Sequence, residues 1–270
     1  MRFFIPLLCS AILLGGCVRD PPAHWTPLAG EPPAGEVDPL PRTMPTPRLR
    51  ASGWTILGRS VEGREILART LGRGPLRVYL IASIHGDEGE GRGALDSITQ
   101  QFGQDRRATL RIVRDMNPDG SARQSRTNAN GVDLNRNWPA SNFRDSPSHG
   151  SRPLSEPETI GVHEDLISFD PDLVVVFHSS SRVHAPFVNY DGPAQERARV
   201  FARAARPHAL AWSVVPRMGY PTPGSLGTSL GVDRGVPVLT IEFRRGQGRE
   251  SVIRSVLAGL GALLGGPEGQ

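Results

Sequence analysis

The 270-residue chain contains no lysine; all 31 of its basic residues are arginine, set against 27 acidic ones, for a formal charge of +4. Without lysine there is no lysine Schiff base and no Ser–Lys dyad, which closes two routes to covalent catalysis. The arginines do not mark a nucleic-acid binder either, because they are scattered and interleaved with Asp and Glu. Cysteine is nearly as scarce. Cys9 and Cys17 both fall within the first seventeen residues, so the folded domain has no disulfide. No apolar run reaches the roughly 18–20 residues of a membrane-spanning helix, and no internal repeat is visible. A serine nucleophile elbow is missing as well: Gly58-Arg59-Ser60-Val61-Glu62-Gly63 lacks the Gly-x-Ser-x-Gly spacing and reads as a turn before a strand. What is present is a hydrophobic share of 38%, enough for one well-buried domain or two small ones and too much for a wholly disordered chain.

Residues 1–16 read as a secretory leader, with Arg2 as the positive end and an apolar stretch from Phe3 to Leu14. Leu14-Gly15-Gly16-Cys17 resembles the bacterial lipobox, which makes Cys17 the lipidated first residue of the mature chain. A diacyl or triacyl group supplies the more than one chain that stable anchoring needs. Val18 follows where an inner-membrane retention signal would place Asp. Between Val18 and Arg50 there are nine prolines, so residues 17–52 form a semi-extended spacer. The expectation is a bacterial periplasmic lipoprotein held to a membrane by its anchor, with a catalytic domain over residues 53–270.

Within that domain short β-branched runs alternate with longer mixed segments. The pattern predicts strands over Glu65–Thr70, Arg77–Ile84, Thr109–Arg114, Asp172–Phe177, Ser213–Pro216 and Pro237–Phe243. It predicts helices near Gly91–Phe102, Glu156–Ser168, Gln195–Ala209 and Glu250–Leu264. Ser155-Glu156-Pro157-Glu158 has the form of a capping box with Ser155 as N-cap. Strands separated by helices give an α/β fold with a mixed, largely parallel twisted sheet flanked by helices, whose ligands gather beyond the C-terminal strand edges. The segment 117–153 lacks periodicity, and a loop of that length in a compact domain is usually functional.

The chemistry sits at strand ends. An apolar strand runs from Val78 into His85-Gly86-Asp87-Glu88, and an imidazole and a carboxylate at this spacing can converge on one cation. His178 ends the run Leu173–Phe177; alone it reads as a core histidine bonded to backbone, but with His85 and Glu88 it completes a His₂Glu set for one zinc ion, leaving a fourth position open. His24, His149, His163, His184 and His208 look like surface residues. Glu242, flanked by Ile241 and Phe243, is either paired with Arg244 or Arg245 or is the general base that such a site needs. In the long loop, Arg123, Arg126, Asn135 and Arg136 are of the types that hold a carboxylate or stabilise an oxyanion.

The ordered set His85-x-x-Glu88, Asn117-Pro118-Asp119-Gly120, Gly131-Val132-Asp133-Leu134-Asn135-Arg136-Asn137, Ser155-Glu156-Pro157-Glu158, His178 and Glu242 resembles the zinc metallocarboxypeptidase family over about residues 54–264. Arg126-Thr127-Asn128-Ala129-Asn130 and Thr222-Pro223-Gly224-Ser225-Leu226-Gly227 are similar to its murein-peptide amidase branch. The resemblance implies zinc on His85, Glu88 and His178, with Glu242 as the base that activates water. It implies that Asn135 and Arg136 hold the terminal carboxylate of the leaving residue, that Arg126, with Arg123 as competitor, faces the oxyanion, and that Tyr220 caps the substrate. The implied substrate is a short murein peptide cut between γ-D-glutamate and diaminopimelate. Asp233 and Arg234 are of the right charge for the diaminopimelate side chain, though such loop residues are usually solvated. A general carboxypeptidase or an aspartoacylase-like deacylase would use the same scaffold. A lipoprotein that only binds wall peptides would have no need of a general base.

Overall fold

The computed structural model describes residues 53–265, apart from 210, 211, 217 and 219. The leader, Cys17 and the proline-rich spacer lie outside the described residues. Eight strands form one sheet: β1 (Trp54–Arg59), β2 (Glu65–Gly72), β3 (Leu76–Ala82), β4 (Ala108–Val113), β5 (Leu173–Ser180), β6 (Phe187–Asp191), β7 (Ser213–Val215) and β8 (Val238–Arg244). Their order is β1-β2-β4-β3-β5-β8-β6-β7, and the centre, β4-β3-β5-β8, is parallel throughout. Antiparallel pairing enters on either side, at β2/β4 and β6/β8. The sheet is therefore mixed, with helices on both faces. Five α-helices connect it: α1 (Glu90–Phe102), α2 (Pro118–Arg123), α3 (Pro157–Phe169), α4 (Gln195–Ala205) and α5 (Arg249–Leu263). Among the described residues no helix is long and apolar enough to cross a membrane.

The central strands are buried on both faces, as a parallel sheet between helix layers must be. Val78, Leu80, Leu173, Val175, Phe177, Leu239, Ile241 and Phe243 point to one core, which α1, α4 and α5 cover with Leu95, Ile98, Phe201, Val256 and Leu260. The alternate residues Tyr79, Ile81, Val174, Val176 and Val238 point to a second core, where α3 contributes Val162 and Leu166. Period-two alternation carries that second face forward along β5 to His178 and along β8 to Thr240 and Glu242. On this face α3 lies over the β1–β3 side, which leaves the ends of β5 and β8 to the loops.

The structure reproduces each expected strand and helix within about three residues at most ends, and it adds others. The turn expected at 58–63 connects β1 to β2, closed by Ser60 and Arg64 backbone hydrogen bonds. β6 was not expected, because Phe187–Asp191 is short and follows a polar stretch. The segment 117–153 is not wholly irregular: α2 opens it, with Asn117 Oδ1 accepting from Gly120 N, and a 3₁₀ turn spans Leu134–Arg136. The capping box is a correction. The N-cap of α3 is Glu156, no side chain caps the helix, and Ser155 Oγ instead donates to Glu156 Oε1.

Candidate metal centre

The turn after β3 delivers the first two donors. Ser83 takes a left-handed φ of +53°, and Asn117 Nδ2 donates to Ile84 O at 3.3 Å, tying this turn to the start of α2. The two pieces touch at backbone distance: a Cβ built on Gly86 would lie 2.0 Å from the carbonyl carbon of Gly120. Only glycine permits that approach.

His85, Glu88 and His178 are all buried, and one donor atom of each lies within 4.8 Å of the others. His178 Nδ1 is 2.7 Å from Glu88 Oε2, an oxygen that also accepts from Ser179 N at 3.1 Å. His85 Nδ1 is 2.9 Å from Glu88 Oε1, yet it is buried and makes no hydrogen bond. On its other side, His85 Nε2 is 2.9 Å from Asp133 Oδ1. A carboxylate can only accept, so this contact fixes the proton on Nε2 and turns the Nδ1 lone pair toward Glu88 and His178. An inward lone pair with no donor to meet it, beside a carboxylate and a second imidazole, suits a zinc ion. The residues present fit the metal.

Electrostatics follow from the same contacts. Burial opposes ionisation of Glu88, but its contacts with His178 and His85 outweigh that and hold its carboxyl well below the usual range. Asp133 is likewise buried, and His85 and Arg126 keep it ionised far below the ordinary carboxylate range. Glu242 differs. Burial pushes its carboxyl up, aided by Glu88 and opposed by His178 and His85. Its Oε2 is buried without a hydrogen bond, and it stands directly opposite His178 in the β5/β8 ladder. The alternative pairing with an arginine is not seen: Arg245 bonds Asp87 Oδ2 at 3.0 Å.

The loop residues close the other wall. Arg126 donates to Asp133 Oδ2 through Nε at 3.0 Å and Nη2 at 2.9 Å, and through Nη1 to Glu88 Oε1 at 3.3 Å. Arg123 is elsewhere, paired with exposed Glu62. Asn135 Nδ2 is 3.4 Å from His178 Nε2, and its Oδ1 accepts from Leu226 N at 3.1 Å. Arg136 donates to Asn135 O at 2.7 Å. Arg126, Asn135 and Arg136, with Tyr220 and Glu242, line one cavity of about 1180 Å³. Tyr220 is 56% exposed at its mouth, as a residue free to move onto a ligand would be.

Two expectations are corrected, for His163 and for Arg234. His163 is not on the surface: it is buried on α3, edge-on to Trp138 with ring centroids 6.1 Å apart. Arg234 is buried too, and donates to Pro139 O and Ser229. Asp233 accepts from Ser141 N and Oγ. Neither Asp233 nor Arg234 lines the cavity. The residue that sequence reasoning missed is Asp133, which binds His85, Arg126 and the Asn135 backbone amide at once. Its only sequence signal is its place inside Gly131–Asn137, two residues before Asn135.

A zinc carboxypeptidase family model matches residues 51–230. Murein peptide amidase A of Escherichia coli K12 is 31% identical over 180 residues, covering 61% of this chain and 69% of that protein. The crystal structure of the murein-tripeptide amidase of Escherichia coli O157 superposes with a TM-score of 0.63 at 27% identity, over 82% of this chain and 98% of the other. Carboxypeptidase A of Helicoverpa armigera reaches the same TM-score at 16% identity, over 80% and 69% of the two chains, and shows the shared fold.

Proposed function

The chain belongs to the zinc carboxypeptidase family, and from that premise we propose that it hydrolyses the amide bond before the last residue of short murein peptides, between γ-D-glutamate and diaminopimelate. One observation carries the reading. A His₂Glu donor set, an unpaired buried carboxylate and an arginine–asparagine clamp meet on a single cavity. The similarity to two murein amidases supports the choice of substrate.

When bound by His85, Glu88 and His178, zinc supplies Lewis-acid polarisation of the scissile carbonyl and acidifies the attacking water. Arg136 and Asn135 hold the terminal carboxylate of the leaving residue, which fixes the amide relative to Glu242. Glu242 takes a proton from the water as its oxygen bonds to the carbonyl carbon. The raised affinity of Glu242 for protons suits it to keep that proton and then deliver it to the amide nitrogen as the C–N bond breaks. Arg126, already oriented by Asp133, turns from Glu88 toward the developing oxyanion. Tyr220 closes over the bound peptide. The leader-like pattern of residues 1–16 and the lipobox-like setting of Cys17 support a periplasmic, lipid-anchored location for this chemistry.

The test is product analysis on defined muropeptides with metal content measured on the same sample. One zinc per chain and release of diaminopimelate from the tripeptide are expected; absence of either sinks the reading. Glu242→Gln should retain zinc while kcat falls roughly 10²–10⁴-fold, and retained turnover would remove Glu242 as the base.

A further inference from the structure

The metal-site cavity leaves one charged feature of the fold unused, on the outer side of α4. The helix buries Ala198, Phe201, Ala202 and Ala205 against the first core. Arg199, Arg203 and Arg206 follow at intervals of four and three residues, the spacing that sets side chains along one helical stripe. Arg206 opens the 3₁₀ turn that continues the helix. All three are exposed, and the stripe is about 10 Å long at the rise of a helix. Residues 195–209 hold four arginines and one acid, Glu196. Glu196 reaches Arg199 at 3.4 Å, an exposed pair that offsets little charge. The fourth cation, Arg197, is turned elsewhere and donates to Asp172 O at 2.8 Å. Arg203 and Arg206 have no hydrogen-bond or ion-pair partner among the described residues.

The stripe overhangs a small second cavity of about 180 Å³, lined by the three arginines with Ala202 and Val214. Val214 belongs to β7, the last strand of the sheet, so this cavity lies at a sheet edge. Ala202 and Val214 make its floor apolar, and the guanidinium groups make its rim cationic. Guanidinium stays charged and forks onto phosphate oxygens, while an apolar floor accepts hydrocarbon. Together they suit a phospholipid headgroup better than free phosphate. No aromatic side chain lines the cavity, so nothing there stacks a nucleobase. α4 covers the first core, whereas His178 and Glu242 continue the second face of the sheet. A bilayer on the stripe therefore meets the opposite face from the metal centre.

We propose that Arg199, Arg203 and Arg206 form a docking surface for an anionic bilayer, each guanidinium meeting a lipid phosphate. The inference is independent of the amidase reading. Three arginines give a weak contact that salt reverses. They orient a domain already near the membrane and do not replace acyl chains.

The test uses the full chain carrying Cys17→Ser, which has no acyl group and so reports the protein surface alone. It is co-sedimented at low salt with vesicles of phosphatidylglycerol or of phosphatidylcholine. Binding to the anionic vesicles only, lost at high salt, is expected; equal binding to both, or to neither, overturns the proposal. Arg199→Gln/Arg203→Gln/Arg206→Gln should weaken the partition about 100-fold, at about fivefold for each arginine near an anionic surface. Arg106→Gln/Arg144→Gln/Arg152→Gln removes the same charge from exposed positions elsewhere and should cost far less. Equal losses in the two triple variants would reduce the effect to net charge and overturn the site. Arg203→Gln and Arg206→Gln alone break no contact and keep the test decisive should the triple variant not fold. Each should cost about fivefold, and no loss in either overturns the assignment. Release from vesicles by inorganic phosphate at matched ionic strength, or binding to soluble polyphosphate without binding to vesicles, overturns the bilayer as partner. Hydrolysis of the murein tripeptide in solution should be equal in all these chains. Its absence throughout would count against the amidase reading and leave the vesicle result standing.

Discussion

Asp133 shows how one carboxylate sets the state of several groups. It receives His85 Nε2 on one oxygen and the Arg126 guanidinium on the other, and its Oδ1 also accepts from Asn135 N at 2.9 Å. Replacing it with Ala frees the His85 ring to rotate or change tautomer, so the lone pair at Nδ1 is no longer imposed. Asp133→Ala is therefore expected to weaken zinc binding about 10- to 100-fold, measured by competition with a chromogenic chelator. Asp133→Asn is the sharper variant. It keeps the shape but can present an amide N–H toward His85, and affinity close to wild type in both variants would show that the ring is held by packing alone. Arg126 should lose its orientation in the same variants, lowering kcat further than metal occupancy explains. His85, Glu88, His178 and Glu242 were legible in the sequence because each stands at or just past the end of an apolar run. Asp133 was not, because a carboxylate that acts through its neighbours leaves no spacing of its own.

At the scale of elements, the site depends on two contacts that packing enforces. The first is the backbone approach of the His85–Glu88 turn to α2. Gly86→Ala places a methyl 2.0 Å from Gly120 backbone, so one segment must shift. A loss of about 1–3 kcal/mol is expected, together with weaker zinc binding, because the shift moves His85 and Glu88. Urea unfolding with and without zinc separates the two effects, and an unaltered midpoint would show that the turn is slack. The second contact is α3 against Trp138. His163 lies there buried beside Arg234; burial chiefly, and that cation secondly, push its pKa down to about 4. The unfolded chain, with an ordinary histidine near 6.5, binds the proton first as pH falls. Stability is thus intact above about pH 6.5 and declines progressively toward pH 4, by about 3 kcal/mol from this residue. His163→Phe should flatten that part of the pH–stability curve, measured by denaturant unfolding; a slope unchanged by the substitution would remove His163 as its source. The period-two and helical patterns made most of these elements legible. β1, β6 and α2 were not, since strands of five or six residues and a single turn and a half of helix are stabilised by their neighbours more than by local pattern.

For the whole molecule, the absence of lysine and of cysteine within the domain turns out to be a matter of position. Arg77, Arg111, Arg126, Arg234 and Arg245 each serve carbonyl or carboxylate partners inside the fold. Arg111, for example, forks onto Asp165 at 2.9 and 2.7 Å, with Tyr79 donating to the same carboxylate at 2.7 Å. A lysine could not make that bidentate contact. The net charge accordingly says little about partners, and we propose a lipid on Cys17 as the attachment to a membrane. No helix among the described residues is long and apolar enough to cross a membrane. The cysteine in a lipobox-like setting is Cys17, and on this proposal the stretch with nine prolines between Val18 and Arg50 would act as the spacer between anchor and domain. Cys17→Ser is then expected to move the protein from the membrane fraction to the soluble fraction. Its activity on a soluble murein tripeptide should be retained, because the substitution lies far in sequence from the donor set. Continued fractionation with membranes would place the attachment elsewhere, and loss of activity with release would mean that the anchor does more than tether. The comparison should be made in a cell that processes lipoproteins, with the mass of the mature N-terminus measured for both forms. An added mass of two or three acyl chains on the wild type, absent from the variant, is the expected result.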